Sequence, residues 1–443
     1  MTQKPKALLI SYVYPPAGGG GSPRLVRWTR ALFEAGFEPV VLTVKSTYIR
    51  GEDQSLIEEI KDIARIERTS SLDPKRVFYL LNNLFKSSLS SSLYKKGSSA
   101  KSSNSPGALW KIFSSLRNWA LVPDEMIGWV PFALFRGWRI IRREKPVVII
   151  TSSSPHSVQL VGILLKKIFH LPWLADFRDA WARHPYYPYP TNFHRWLNRT
   201  MEEIAVKNAD AITLAYGLDS AQKAYPQFKN KFRLLHNGFN EKNFTEVQAM
   251  NLSGFNLVYL GAFYGTQTPI YFFQALKNLL SERPELKDEL KVTMIGAFNP
   301  EHLKMVSDYG LENSVCLKQY MPHNQITRWM LSADALLLFL GSEIKESMVI
   351  PGKVFEYIRA GVWILAMIPE GETAEILRNA GGALIVPGND LRKIQEALLE
   401  LYQYYKQGKK PVQNQEYIWT KEETQLKKEM SKLILSLTCQ RQS

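Results

Sequence analysis

Residues 8–44 read LLISYVYPPAGGGGSPRLVRWTRALFEAGFEPVVLTV, and this stretch decides the fold class. Leu8 to Tyr14 is a strand-like run that ends at Pro15-Pro16, and four glycines follow. Ser22-Pro23 then supplies an N-cap and the residue favoured at the first helical position. The helix is expected to reach Ala35, where Gly36 stops it, and Pro39–Val44 is the next strand. Strand, glycine turn, helix and strand make a βαβ unit, the building block of a parallel sheet.

Working outward, the same rhythm recurs. Val147–Thr151, Trp173–Asp176 and Ala211–Ala215 are apolar or β-branched runs separated by amphipathic stretches. Leu257–Leu260, Val292–Ile295, Ala335–Phe339, Trp363–Ile368 and Ala383–Val386 repeat it in the second half. The fold class is therefore α/β, with two doubly wound domains expected over 1–240 and 241–419 and the break near Asn240–Ser253. Two domains also suit a chain of 443 residues, which exceeds the size of one ordinary core.

The composition, 45% hydrophobic and 22% charged, excludes a disordered chain. Only two cysteines occur, Cys316 and Cys439, without metal-ligand spacing, which excludes a disulfide scaffold and suits a reducing compartment. No cleavable leader opens the sequence and no apolar run reaches the ~18 residues of a membrane span, so a cytoplasmic protein is expected.

Charge is distributed unevenly. Residues 1–240 hold 34 Lys+Arg against 18 Asp+Glu, whereas residues 241–443 hold 22 against 23. A basic first half points to an anionic partner. Between Asp73 and Asp124 there are eight basic residues and no acidic one. The Ser/Lys-rich Ser87–Ser105 reads as a loop, and its flanks interleave Phe78, Phe85, Trp110 and Trp119 with basic residues. This insertion, about 75–119, suits contact with an anionic membrane surface; a pair of core-packed helices is the alternative. Nucleic acid fits the charge but no recognition motif is present.

Three constellations carry chemistry. Gly19, Gly20 and Gly21 let backbone approach a ligand, and Ser22, Arg24 and Arg27 follow on the helix start, where anions are favoured. The spacing is neither a dinucleotide fingerprint nor a Walker loop. Asp176-Phe177-Arg178-Asp179-Ala180-Trp181 lies past the carboxyl end of a strand, where open α/β sheets bind ligands; it reads equally as a sugar-gripping cluster or as a structural ion pair. Pro351-Gly352-Lys353-Val354-Phe355-Glu356 starts a short helix. Lys353 beside the positive helix end would hold a diphosphate, and Glu356 one turn in would accept from ribose hydroxyls. His156, after another strand end, is a further candidate. No Asp-x-Asp occurs, so no metal-bridged diphosphate is indicated.

Taken together, Tyr14-Pro15-Pro16 with its glycines, Pro123-Asp124…Gly128-Trp129, Asp-Phe-Arg-Asp-x-Trp, His236-Asn237-Gly238-Phe239-Asn240, Tyr259-Leu260-Gly261 and Pro-Gly-Lys-x-x-Glu-Tyr resemble bacterial glycosyltransferases of family 4. The resemblance runs in order from about residue 6 to 400. It implies a GT-B fold, two Rossmann-like domains facing a cleft, with the acceptor in the first domain and the nucleoside diphosphate sugar mainly in the second. It also implies metal-independent transfer with retention of configuration, no cofactor, and a final helix (420–443) that packs back on the first domain. By position, Glu356 matches the second glutamate of the family's Glu-x7-Glu element; the first would fall at Met348, with Glu346 close by. Gly265-Thr266-Gln267-Thr268 stands where a basic pair is usual, and Arg178 where a histidine is common.

The expected activity is retaining transfer of a sugar to a lipid-linked or polysaccharide intermediate, on the inner face of the cell membrane. The expected residues are Asp176, Arg178, Asp179 and Glu346 for catalysis, and Gly19, Gly20, Gly21, Gly261, Pro351, Gly352, Lys353 and Glu356 for the donor. Ser22, Arg24 and His156 are expected to meet the acceptor. The rival readings are a nucleotide-sugar epimerase of the same fold, or a non-catalytic nucleotide-sugar- or membrane-binding partner in a glycan assembly complex.

Overall fold

The computed structural model describes residues 4–17, 21–45, 54–74, 121–183, 189–263, 267–319, 321–341 and 349–439. The insertion at 75–119 and Gly19, Gly20, Glu346 and Met348 lie outside them. The chain forms two compact units, Met1–Leu235 with the residues from Lys427 onward, and His236–Leu426.

The first unit is built on a seven-stranded sheet in the order β3-β2-β1-β4-β5-β6-β7, every pair parallel. Its strands are β1 (Lys6–Ile10), β2 (Glu38–Val44), β3 (Arg65–Thr69), β4 (Val148–Ser153), β5 (Trp173–Phe177), β6 (Ala211–Leu214) and β7 (Phe232–Leu234). The central strands are buried on both faces because helices cover them, which is why they read as continuous apolar runs. The helix Ser22–Glu34 joins β1 to β2. Strand order reverses between β1 and β4, and Ser11 Oγ donates to Ser152 O across that point (3.2 Å).

Three long helices, Val130–Glu144, Ser157–Phe169 and Asn192–Asn208, enter β4, follow β4 and follow β5. Right-handed crossovers put all three on one face of the sheet. Two glycines set their spacing. A Cβ at Gly137 would lie 2.8 Å from Leu165 Cδ1 of the neighbouring helix, and one at Gly162 2.6 Å from the Trp173 indole beneath. On the helix Ser22–Glu34 rests the last helix, Glu423–Cys439, through Lys427 Nζ to Glu34 (2.6 Å) and Ser431 Oγ to Ala31 O (3.0 Å).

The second unit repeats the plan with six parallel strands in the order β10-β9-β8-β11-β12-β13. They are β8 (Phe255–Leu260), β9 (Leu290–Ile295), β10 (Val315–Lys318), β11 (Ala335–Phe339), β12 (Trp363–Met367) and β13 (Ala383–Val386). Strand order reverses between β8 and β11, and the helix Lys353–Ala360 lies between β11 and β12 in sequence. Two doubly wound parallel-sheet domains are thus observed. Sequence alone missed β3, β7 and β10. β3 holds three charged residues, Arg65, Glu67 and Arg68, and Glu67 is held by Arg136 and by Arg143 (2.6 Å) instead of facing water. Among the described residues no helix is long and apolar enough to cross a membrane.

Candidate active site

Open parallel sheets bind ligands beyond their carboxyl strand ends, where the strand order reverses. In the first unit this locale gathers Gly21, Ser22, Arg24, His156, Asp176, Arg178 and Asp179, the described members of two motifs and a lone histidine. Several of these side chains are engaged with one another or with backbone. Arg24 and Asp176 are 1% and 0% exposed and bind each other: Arg24 Nε and Nη2 reach the carboxylate at 3.0 and 2.6 Å. Ser152 Oγ (2.6 Å) and Thr213 Oγ1 (2.7 Å) donate to the same carboxylate, while Arg24 Nη1 donates to Leu235 O (2.8 Å). Burial works to raise the carboxyl pKa, but the Arg24 charge and these hydrogen bonds outweigh it and hold the group below its ordinary value. Asp176, expected at catalysis, and Arg24, expected at the acceptor, are thus turned to each other. Together they lock β1's helix to β5.

Arg178 is also occupied. Its Nε donates to Ser153 O (2.8 Å) and its Nη2 to Ser154 O. Gly21 packs against it, and a Cβ there would lie 1.6 Å from Arg178 Nη1, so the guanidinium would have to shift. Asp179 is half-buried and accepts from Ser154 Oγ (2.7 Å). Ser22 Oγ turns back to donate to Ala17 O rather than pointing outward. His156 stacks on Trp181, ring centroids 5.1 Å apart and 6° from parallel. Trp181 is in turn fixed by Nε1–H to Asn198 Oδ1 (2.9 Å). Asp124 reaches the same place from a distant loop and caps the helix Ser157–Phe169, accepting from Ser157 N (2.8 Å) and Met126 N (3.0 Å).

In the second unit the corresponding locale carries two charged residues, Lys353 and Glu356, both partly exposed. β8 ends at Gly261, whose φ of +127° favours glycine. Gly296, past β9, is pressed so closely on it that a Cβ would lie 1.9 Å from Gly261 O. Lys353, in the first turn of the helix Lys353–Ala360, extends to this spot: Nζ donates to Leu260 O (2.9 Å) and stands 4.1 Å above the Tyr259 ring. Among the described residues no carboxylate pairs with it, and burial pushes its pKa down to about 7. Tyr357 OH, one helical turn on, accepts from Leu260 N (3.1 Å) and anchors the same strand end.

Glu356 pairs with His323 Nε2 at 2.8 Å, the side chains 24% and 39% exposed. Pro351 and Gly352 precede the helix; Gly352 is exposed and Val354 N donates to Pro351 O (3.0 Å). Upstream, Val349 O accepts from Thr373 Oγ1 (2.7 Å). The structure thus brings Gly261, Lys353 and Glu356 together at one strand-end cluster, and adds Tyr259, His323 and Tyr357. His323 follows Met321-Pro322 at a helix start, a placement that could have marked it in the sequence.

Residues 254–404 match the family model described as glycosyl transferases group 1. The second unit carries a glycosyl transferase group 1 domain, and the enzyme is a glycosyltransferase. Solved structures align with the glycosyltransferase along nearly its whole length. α,α-Trehalose 6-phosphate synthase from Burkholderia multivorans is 11% identical with a TM-score of 0.59, covering 100% of this chain and 99% of its own. Anabaena HepE, solved in complex with UDP-glucose, is 11% identical with a TM-score of 0.57, covering 98% and 100%. A UDP-N-acetylglucosamine 2-epimerase is 12% identical with a TM-score of 0.53, covering 98% and 96%. At such identities these likenesses show the fold, which is GT-B. No curated protein sequence matches the glycosyltransferase significantly.

Proposed function

We propose that this enzyme is a retaining, family 4-type glycosyltransferase that takes its sugar from a nucleoside diphosphate sugar and uses no metal. The observation that carries the reading is the Lys353 ammonium beside Gly261 at the end of β8, with Glu356 one turn further on, inside a glycosyl transferase group 1 domain. A leaving diphosphate gains negative charge as its bond to C1 of the sugar breaks. Lys353 and the N–H groups at the start of its helix are fixed donors for that charge. Glu356, held by His323, accepts from the ribose hydroxyls. The acceptor hydroxyl attacks C1 on the face the diphosphate leaves, and its proton passes to a diphosphate oxygen, so configuration is retained.

In the first unit, Asp179, Arg178 and His156 orient the acceptor, while Asp176 and Arg24 hold the frame. The excess of basic residues in that unit supports an anionic, lipid-linked acceptor met at the cytoplasmic face of the membrane, in the assembly of a cell-surface glycan.

A thermal-shift screen over UDP-, GDP- and ADP-sugars tests the donor assignment, since a ligand that binds only the folded state raises the melting temperature. One sugar nucleotide should raise it, and Lys353→Met should abolish the rise. Absence of any shift with all three would overturn the donor assignment, and turnover of the nucleotide sugar without acceptor would indicate an epimerase instead. The anomeric configuration of the product, read by NMR, tests retention.

A further inference from the structure

The three long helices on one face of the first unit's sheet have outer faces that no other described element covers. On Val130–Glu144, Phe135 is 62% and Trp138 39% exposed, stacked 6.5 Å apart. Arg139 lies over the Phe135 ring (5.8 Å) and Arg142 over Trp138 (5.5 Å). On Asn192–Asn208, Phe193 and Trp196 are 59% and 58% exposed and pack ring to ring at 5.7 Å. The helix between them, Ser157–Phe169, exposes Leu164 and Ile168. The positions recur at three and four residues, so each helix carries one outward stripe. Across the three helices nine Lys+Arg face three Asp+Glu.

The opposite side of these helices is ordinary core: Ala133, Gly137, Ile140 and Ile141 on the first, and Ala205 and Val206 on the last. The outward aromatics therefore serve no internal packing. Large apolar groups this exposed on neighbouring helices mark an interaction surface. The charge decides among occupants. A second copy would bring like charges face to face, and an acidic protein patch would leave the aliphatic Leu164 and Ile168 stranded. An anionic bilayer satisfies both halves, because aromatic rings settle at the headgroup level and arginines pair with lipid phosphates.

We propose that the outer face of these three helices is the surface by which the enzyme docks on an anionic lipid bilayer. The proposal rests on the membrane-facing reading above and places the contact outside 75–119. Phe135, Trp138, Phe193 and Trp196 enter the headgroup layer, and Arg139 and Arg142 bind lipid phosphate.

Co-sedimentation with vesicles of phosphatidylcholine, with and without phosphatidylglycerol, tests it. The full-length enzyme should bind only the phosphatidylglycerol vesicles, and less at high salt. The combined variant Phe135→Ala/Trp138→Ala/Phe193→Ala/Trp196→Ala, and separately Arg139→Glu/Arg142→Glu, should lower partitioning about tenfold or more. Both should keep the parent melting temperature. Tyr271→Ala/Leu303→Ala, which removes exposed apolar groups from the second unit, should change nothing.

If the enzyme binds and both helix variants bind equally well, the surface is wrong while membrane association stands. If the enzyme ignores anionic vesicles altogether, both ideas fall. Binding to single-stranded RNA with no binding to vesicles would reassign the face to nucleic acid.

Discussion

Two charged pairs occupy comparable places, each at the carboxyl end of a parallel sheet, and their surroundings are opposite. In the first unit Arg24 and Asp176 are sealed, with two further hydroxyls on the carboxylate and nothing left to offer a ligand. In the second unit Glu356 meets His323 with both side chains partly exposed, and among the described residues Lys353 meets a carbonyl and a ring. The sealed pair holds architecture; the lysine keeps a charge that no described carboxylate neutralises. Charge and spacing in the sequence do not separate the two; the partners that folding brings to each charge do.

The largest expected effect breaks the sealed pair. Arg24→Met leaves a buried carboxylate uncompensated and should cost about 3–5 kcal/mol of stability in urea unfolding, whereas His323→Ala should cost less than ~1 kcal/mol. Similar losses from both would erase the distinction. Acid sharpens it. The folded Asp176 carboxyl resists protonation more than the unfolded one, so its contribution is complete above the ordinary Asp pKa and declines as pH falls through and below that range. The Arg24→Met variant should lose this acid dependence.

Next in size is Lys353→Met. Removing the fixed cation should slow transfer by about 10²–10³-fold, measured as kcat/KM with saturating acceptor, yet the melting temperature should hold or rise, because a poorly solvated ammonium is gone. The free enzyme's Lys353 titrates near pH 7. A bound diphosphate favours its charged form, so donor affinity should weaken as pH rises from about 6 to 8, with proton uptake visible when calorimetry is repeated in different buffers. In the unliganded protein the sign is reversed: folding disfavours the proton, so stability rises with pH above about 7. A donor affinity flat over this range would remove Lys353 from the diphosphate.

The smallest effect expected is from Glu356→Gln. It keeps the shape and one acceptor but loses the charge that binds His323, and donor affinity should fall about tenfold. Melting should stay within ~0.5 kcal/mol of the parent.

Much of the fold was legible because the central strands are buried on both faces. Leu257–Leu260 and Ala335–Phe339 announce themselves by uninterrupted apolar character, and Ser22-Pro23 marks a helix start. The edge strands β3 and β10 did not, since residues such as Arg65, Glu67 and Lys318 face polar partners or water. The site was legible only as single residues. Lys353 and Glu356 stood out by position on one helix, but Leu260 lies 93 residues from Lys353 and His323 lies 33 from Glu356. The contacts of Asp176 were hidden for the same reason: its partner Arg24 is 152 residues away, and nothing local distinguishes a carboxylate facing ligand from one facing an arginine.

The last helix carries a consequence for the order in which the molecule can be completed. Its residues from Lys427 belong to the first unit, where Met430 and Ile434 are fully buried and Lys427 clasps Glu34. A ribosome therefore finishes the second unit before it has made the piece that covers the helix Ser22–Glu34. The first unit, although synthesised first, waits with an apolar flank uncovered until the final turns emerge. Expressed as a fragment ending at Leu235, it should be prone to aggregate. Supplied with residues 427–439 through a short linker, it should recover solubility.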